Sequence, residues 1–286
     1  MRWIDTSRVQ RHLSSDWLAR SQNLLANLIS AANDDERKVI IKGNSDHWNE
    51  VRNALWLVGG EKCWYTEMLI PFKGSVIEHF RPKGKLAGEK HEGYWWLSFN
   101  WKNFRISSNI ANVRVKEYLD GKLKGKGTYF PLIGGTRVYV YNAQPQDLLS
   151  IGDERPILLD PFIRSDVELL TFNHDGVPVP NTAKCKSELD TRRVKESIDL
   201  YCLDEGLLNA ERAELWQVVL KTGSKIEELA QKQEKCPLSQ AELNEYEEEM
   251  TELAKMLARH AKYSNAAIAA FKSLGNRGWT DGVLAA

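Results

Sequence analysis

Within seven residues, Glu78, His79, Phe80, Arg81, Pro82, Lys83 and Gly84, the chain places a carboxylate, an imidazole and two cationic side chains. An imidazole takes a proton from water near neutral pH, and a carboxylate ligates a hard divalent cation. An arginine fork grips two oxygens of a phosphate, which makes Arg81, with Lys83, a candidate for a scissile or flanking phosphate. Together these are the means of metal-assisted phosphodiester hydrolysis. Glu beside His also occurs by chance, with a packed ring and a solvated carboxylate. The weight therefore falls on the surrounding segments, which must position these groups.

Residues 62–80 read as an extended segment with a turn near Pro71 to Gly74, followed by a strand from Ser75 to Phe80. Gly84 to Gly93, rich in Lys, Gly and Glu, reads as a flexible loop. The aromatic block from Tyr94 to Phe104 fits a core better than a base-stacking platform. Ser107 or Ser108 is placed to cap a helix running to about Leu119. Upstream, an apolar helical period covers residues 5–32 with a break near Ser21, capped at Asp5 or Thr6. A second helix runs from Asp46 to Val58 and ends at Gly59 and Gly60. Residues 132–181 read as loop-rich, with short strands at Arg137 to Tyr141 and Ile157 to Leu159. From Lys186 onward the pattern is helical, over about 187–202, 208–232, 238–262 and Asn265 to Leu274, with a stop and restart at Pro237 and Ser239.

Several blocks at compatible spacing give the segment a family likeness: Lys62-Cys63-Trp64-Tyr65-Thr66-Glu67, then Glu78 to Lys83, then Tyr94-Trp95-Trp96-Leu97-Ser98-Phe99-Asn100-Trp101-Lys102-Asn103-Phe104. These are followed by Ser107 to Asn112, Lys126-Gly127-Thr128-Tyr129-Phe130-Pro131, Arg155 to Pro161 and Leu170 to Gly176. Over roughly residues 50–220 the chain resembles the HNH endonucleases, in particular the branch found in Septu-type anti-phage systems. The resemblance implies an α+β fold, a mainly helical chain around a small ββα-metal (HNH) nuclease core. It implies His79 as general base, Asn103 as the residue that holds the loop and imidazole, and Glu78 with Asn112 as ligands of Mg²⁺ or Mn²⁺. It further implies DNA as substrate and a partner ATPase of the SMC or ABC kind. Many such relatives carry a zinc on two C-x-x-C pairs, a whole motif of which only one cysteine remains here, at Cys63, Thr66, Ser108 and Ala111. No structural zinc is therefore expected, and Trp64, Trp95, Trp96 and Trp101 are candidates to replace its cross-link.

Composition bounds the alternatives. The 286 residues, 42% hydrophobic and 27% charged, suffice for one large domain or two small ones. The segments divide as an N-terminal helical part over 1–60, a nuclease core over 61–131, a loop-rich wrap over 132–185 and a helical region over 186–286. Neither a secretory signal nor a membrane-length apolar run is present, so a cytoplasmic protein with no membrane partner is expected. Cys63, Cys185, Cys202 and Cys236 are dispersed and read as free thiols. Thirty-nine basic residues balance thirty-nine acidic ones, which disfavours a plain DNA-binding module. Locally, Lys73 to Lys126 carries a net seven positive charges, of use to a nucleic acid only if they share a face. His91 and His174 lie in loops with no expected chemistry, although His91 is close enough in sequence to substitute in a proton relay. The alternative to an endonuclease is a catalytically silent structural or sensing subunit that retains the fold.

Overall fold

The computed structural model describes residues 1–108, 115–116, 123–134, 137, 154–280 and 283, with only the backbone at 115–116 and 123–124. It is mostly helical with a few short strand pairs, an α+β chain. Helix α1, Thr6–Gln10, is capped by Asp5, whose carboxylate accepts from the Ser7 N–H. Helix α2, Ser15–Ser30, is capped by Ser14. The break expected near Ser21 thus falls at residues 11–14, because Ser14 opens a new helix. Ser21 stays inside α2, its hydroxyl donating to the Trp17 carbonyl at 3.0 Å. Helix α3, Asp34–Gly43, was not anticipated, although its signal is in the sequence. Asn33 caps it, and Asp34, Asp35 and Glu36 offset the positive end of its dipole. Helix α4, Ser45–Val58, matches its expected span and ends at Gly59.

Strand β1, Val76–His79, follows a 3-10 turn at Phe72–Gly74 and pairs antiparallel with β2, Phe104–Ser107, in the register Glu78↔Arg105 and His79↔Phe104. The intervening residues 84–93, expected to be flexible, are tied down. Leu86 N–H donates to His91 O at 2.9 Å, Ala87 N–H to Thr128 O at 3.2 Å and Tyr94 N–H to Pro82 O at 2.8 Å, while Leu86 and His91 are buried. The aromatic block after them is core as expected, with Tyr94, Trp95, Trp96, Phe99, Trp101 and Phe104 all buried.

The helix expected from Ser107 or Ser108 to Leu119 falls largely outside the described residues. Where it is described, Val115–Lys116 is a short strand, β3, paired with β4, Leu123–Lys124. The strand expected at Arg137 to Tyr141 also lies outside them, apart from Arg137. Ile157 to Leu159 is buried but is not a strand. Its backbone docks on a helix instead, Leu159 N–H donating to Ser197 Oγ at 2.9 Å and Leu159 O accepting from Tyr201 Oη at 3.1 Å. A short helix α5, Arg164–Glu168, and the hairpin of β5, Leu170–Phe172, with β6, Pro178–Pro180, complete this region.

The last third follows its expected helices closely: α6 Glu188–Leu200, α7 Gly206–Lys235, α8 Gln240–Leu257 and α9 Ser264–Ser273. Capping boxes at Ser187 with Asp190 and Ser239 with Glu242 start α6 and α8. Helices α7 and α8 form a hairpin around Pro237, and α9 packs on α7 and β5. One continuous core joins Trp17 and Leu55 of the N-terminal helices, Trp64, Tyr65 and Ile106 of the central part, and Leu253 and Phe271 of the last third.

Gly93 has φ +90°, and a Cβ there would lie 2.2 Å from Gly84 O. Gly93→Ala is expected to destabilise the chain by about 1–3 kcal/mol, the cost of a strained left-handed residue, read as a lowered urea midpoint with unchanged slope.

Candidate active site

The strand pair sorts the candidate residues onto two faces. Successive strand side chains alternate, so Glu78 and His79 point to opposite sides of β1. His79 shares its face with Phe104, whose ring lies 5.2 Å away edge-on, and α4 covers that face with Trp48, also edge-on at 5.2 Å. His79 Nε2 lies 2.9 Å from the Ser98 carbonyl, which can only accept, so Nε2 carries the proton. Nδ1 is then the lone-pair nitrogen of the neutral ring, and it faces Lys83 Nζ at 3.4 Å. Burial, and then the Lys83 charge, push the His79 pKa well below its ordinary value. Lys83 is half-buried with its ammonium over the Trp48 ring at 5.2 Å, and burial lowers its pKa too.

Asn103 binds the backbone on both sides of the turn after β1 and makes no bond to the imidazole itself. Its Oδ1 accepts from Arg81 N–H at 2.8 Å and its Nδ2 donates to Arg81 O at 2.9 Å and Leu97 O at 3.4 Å. One buried amide thus closes the turn after β1 against the segment that supplies Ser98. Phe80 N–H donating to Asn103 O at 2.9 Å extends the pairing one residue further.

The opposite face is a buried charge network. Glu78 Oε2 accepts from Tyr65 Oη at 2.6 Å, and its Oε1 is ion-paired with Lys126, whose ammonium also donates to His79 O at 2.9 Å. Its cross-strand neighbour Arg105 makes a two-pronged pair with Asp160, at 2.8 and 2.6 Å, and lies over the Phe162 ring at 3.8 Å. With each of its oxygens already engaged, Glu78 in this arrangement does not fit a metal ligand. Lys126 stands where a cation would, as the counter-charge of Glu78. Asn112, the other expected ligand, lies outside the described residues. Among the described residues, no group of three or more His, Cys, Asp or Glu converges on one point.

Arg81 is also engaged. It is buried, with Nε 3.3 Å from Glu154, a carboxylate that Tyr94 Oη reaches at 3.0 Å. The structure therefore brings His79, Lys83 and Asn103 together and turns Glu78 and Arg81 into separate buried pairs. Three bases of the positive stretch, Arg81, Arg105 and Lys126, are likewise internal and do not contribute to a surface patch. Sequence reasoning gave no role to Lys126, although it stands in one of the quoted blocks, and none to Tyr65. Glu154, 73 positions from Arg81, carried no local signal at all. Of the positions that the resemblance aligns with zinc cysteines, Cys63, Thr66 and Ser108 are buried, and Ala111 lies outside the described residues. The 63–68 turn closes through Cys63 N–H to Met68 O at 2.9 Å, and Trp64 and Trp101 both pack on Phe162.

Removing one partner of the Glu78–Lys126 pair leaves a buried charge without its counter-charge. Lys126→Met is expected to cost about 3–5 kcal/mol, and Glu78→Gln with Lys126→Met much less than the two single changes added, both read by urea denaturation. The His79 pKa gives a second expectation. The folded ring binds a proton less readily than the unfolded one, so below about pH 6.5 the unfolded chain takes up more protons and stability falls with pH. His79→Gln should flatten part of that slope, with His47, whose pKa burial also lowers, keeping the rest.

A scan against protein-family models finds no match. The chain is similar to Septu protein PtuB of Bacillus mycoides (strain KBAB4), 28% identical over 171 residues. The similar stretch covers 58% of this chain and 50% of the relative, so the chain spans about half the length of the curated protein it matches.

Proposed function

We propose that this chain is an HNH-type endonuclease that hydrolyses phosphodiester bonds of DNA, as the effector of a Septu-type anti-phage system working with an SMC- or ABC-type ATPase. The defence role rests on the similarity to Septu protein PtuB. The chemistry rests on one observation. His79 is a buried neutral imidazole whose Nε2 is fixed by Ser98 O, leaving Nδ1 as its basic atom beside the Lys83 cation.

In this reading His79 Nδ1 accepts the proton of an attacking water. Ser98 O holds the ring in its tautomer and direction, and the Asn103 amide holds the turn beside it. Lys83, whose charge discourages protonation of the resting ring, offsets negative charge as the phosphorus gains its fifth oxygen. The bridging P–O bond then breaks, and the leaving sugar oxygen takes a proton from solvent while His79 returns its own. Mg²⁺ or Mn²⁺ is the cation the family resemblance calls for. Because Glu78 does not fit it as arranged, no step here is assigned to a metal. The acidic exposed side of α8, with Glu247, Glu248 and Glu252, is the docking surface we assign to the ATPase partner.

The second reading, a silent subunit, is favoured by the engagement of Glu78 with Lys126 and of Arg81 with Glu154. Supercoiled plasmid incubated with the chain and Mg²⁺ or Mn²⁺, alone and with its genomic neighbour, separates the two. Nicking that falls by about 10²-fold or more in His79→Ala, assayed below the melting temperature of the variant, is the expected outcome. Chelation by EDTA tests the cation. Cleavage that survives His79→Ala would sink the assignment of the base, and absence of cleavage in every combination would leave the silent subunit.

A further inference from the structure

At the far end of α4 from Trp48, a cavity of about 90 Å³ is lined by Arg2, Arg8, Arg259 and His260 together with Ile4 and the 57–60 end of α4. Three guanidinium groups rarely converge without carboxylates between them, since their mutual repulsion is unfavourable. Here no ion pair involves Arg2, Arg8 or Arg259 among the described residues. Arg259 donates to the Trp3 carbonyl and lies over the Trp3 ring at 4.9 Å, so it is held in place by a neutral partner and its remaining N–H groups are free to bind elsewhere. The repulsion is visible in its pKa, lowered first by burial and then by the charges of Arg2 and Arg8. Asp5, which caps α1, acts back on Arg259, and Arg2 acts on Glu67, so three guanidinium charges meet only partial compensation.

An obvious structural use for such cations is to satisfy the carbonyl end of a helix. The backbone already does that. Gly59 N–H donates to Leu55 O at 3.0 Å, Gly60 N–H to Leu57 O at 3.0 Å and Glu61 N–H to Trp56 O at 2.9 Å. Gly60, at φ +75°, also lets the main chain pass close to His260, where a Cβ would come within 2.9 Å of its Cα. What remains is a concavity of net positive charge, three arginines against Asp5, of a size for one tetrahedral anion, with guanidinium forks suited to its oxygens.

We propose that the Arg2, Arg8, Arg259 and His260 cavity is a phosphate-binding site, taking one phosphate of a nucleic-acid backbone or of a nucleoside triphosphate. Trp48 and Val58 are ten residues apart on α4, so the cavity lies roughly 15 Å along the helix from the residue packed on His79. Its occupancy does not depend on whether His79 performs catalysis, and binding is read here without cleavage.

The test uses the full chain, with a fluorescein-labelled DNA duplex in anisotropy and with ATP and inorganic pyrophosphate in thermal shift. Arg8 is exposed near the end of α1 and is not engaged in an ion pair, so Arg8→Glu reverses the charge with little effect on folding. The expected result is weakening of at least one probe by about tenfold or more in Arg8→Glu, with the salt slope for DNA reduced by about one. Arg259→Lys, which keeps the charge and loses the fork, should weaken the same probe less. Loss confined to DNA assigns the site to a backbone phosphate. Loss confined to ATP and pyrophosphate assigns it to a nucleotide, and loss of both to phosphate in either form. Wild-type protein that binds none of the probes, or Arg8→Glu that binds them as tightly as wild type, overturns the proposal.

Discussion

The alternation of side chains along the four residues of β1 is the constraint on which the centre of this molecule depends. It sends Glu78 to one side and His79 to the other, and both sides are buried. A carboxylate without water must have a partner, and Lys126 and Tyr65 supply it from distant parts of the chain. Opposite Glu78, Arg105 must be matched in the same way, and Asp160 matches it. The strand pair is thus clamped on one face by two ion pairs and on the other by the aromatic rings of Trp48 and Phe104.

This clamp has a consequence for chemistry. Lys126 reaches both the Glu78 carboxylate and the His79 carbonyl, so the charge network on one face fixes the backbone from which the imidazole projects on the other. Asn103 fixes the turn that follows, and Ser98 fixes the ring itself. His79 is consequently held by rigid neighbours. Its neutrality comes from burial and the Lys83 charge together.

The helices on either side have different tasks. Helix α4 shields the imidazole face near its start and reaches the arginine-lined cavity at its end. Helix α9 and the segment before it reach back to the centre. Lys62 donates to Ala261 O at 2.7 Å and Ser264 Oγ to Glu67 at 2.7 Å, which joins the turn before β1 to the last third of the chain. The 63–68 turn therefore keeps its shape through buried polar contacts and the packing of Trp64 on Phe162.

Helix positions were legible wherever local rules act alone. The Ser187 and Ser239 capping boxes, the Pro237 break and the Gly59 stop all announce themselves within a few residues, and β1 with its histidine could be placed by pattern. Which nitrogen of His79 carries the proton, the burial of Arg81 against Glu154 and the capture of Glu78 by Lys126 were not legible. Each depends on a partner 19 to 73 positions away, and no spacing rule carries that information. The sequence determined which groups are present and which elements form, because capping and periodicity are local. Tertiary structure alone decided which charges are neutralised inside and which remain available, because desolvation and pairing depend on what the whole fold brings alongside.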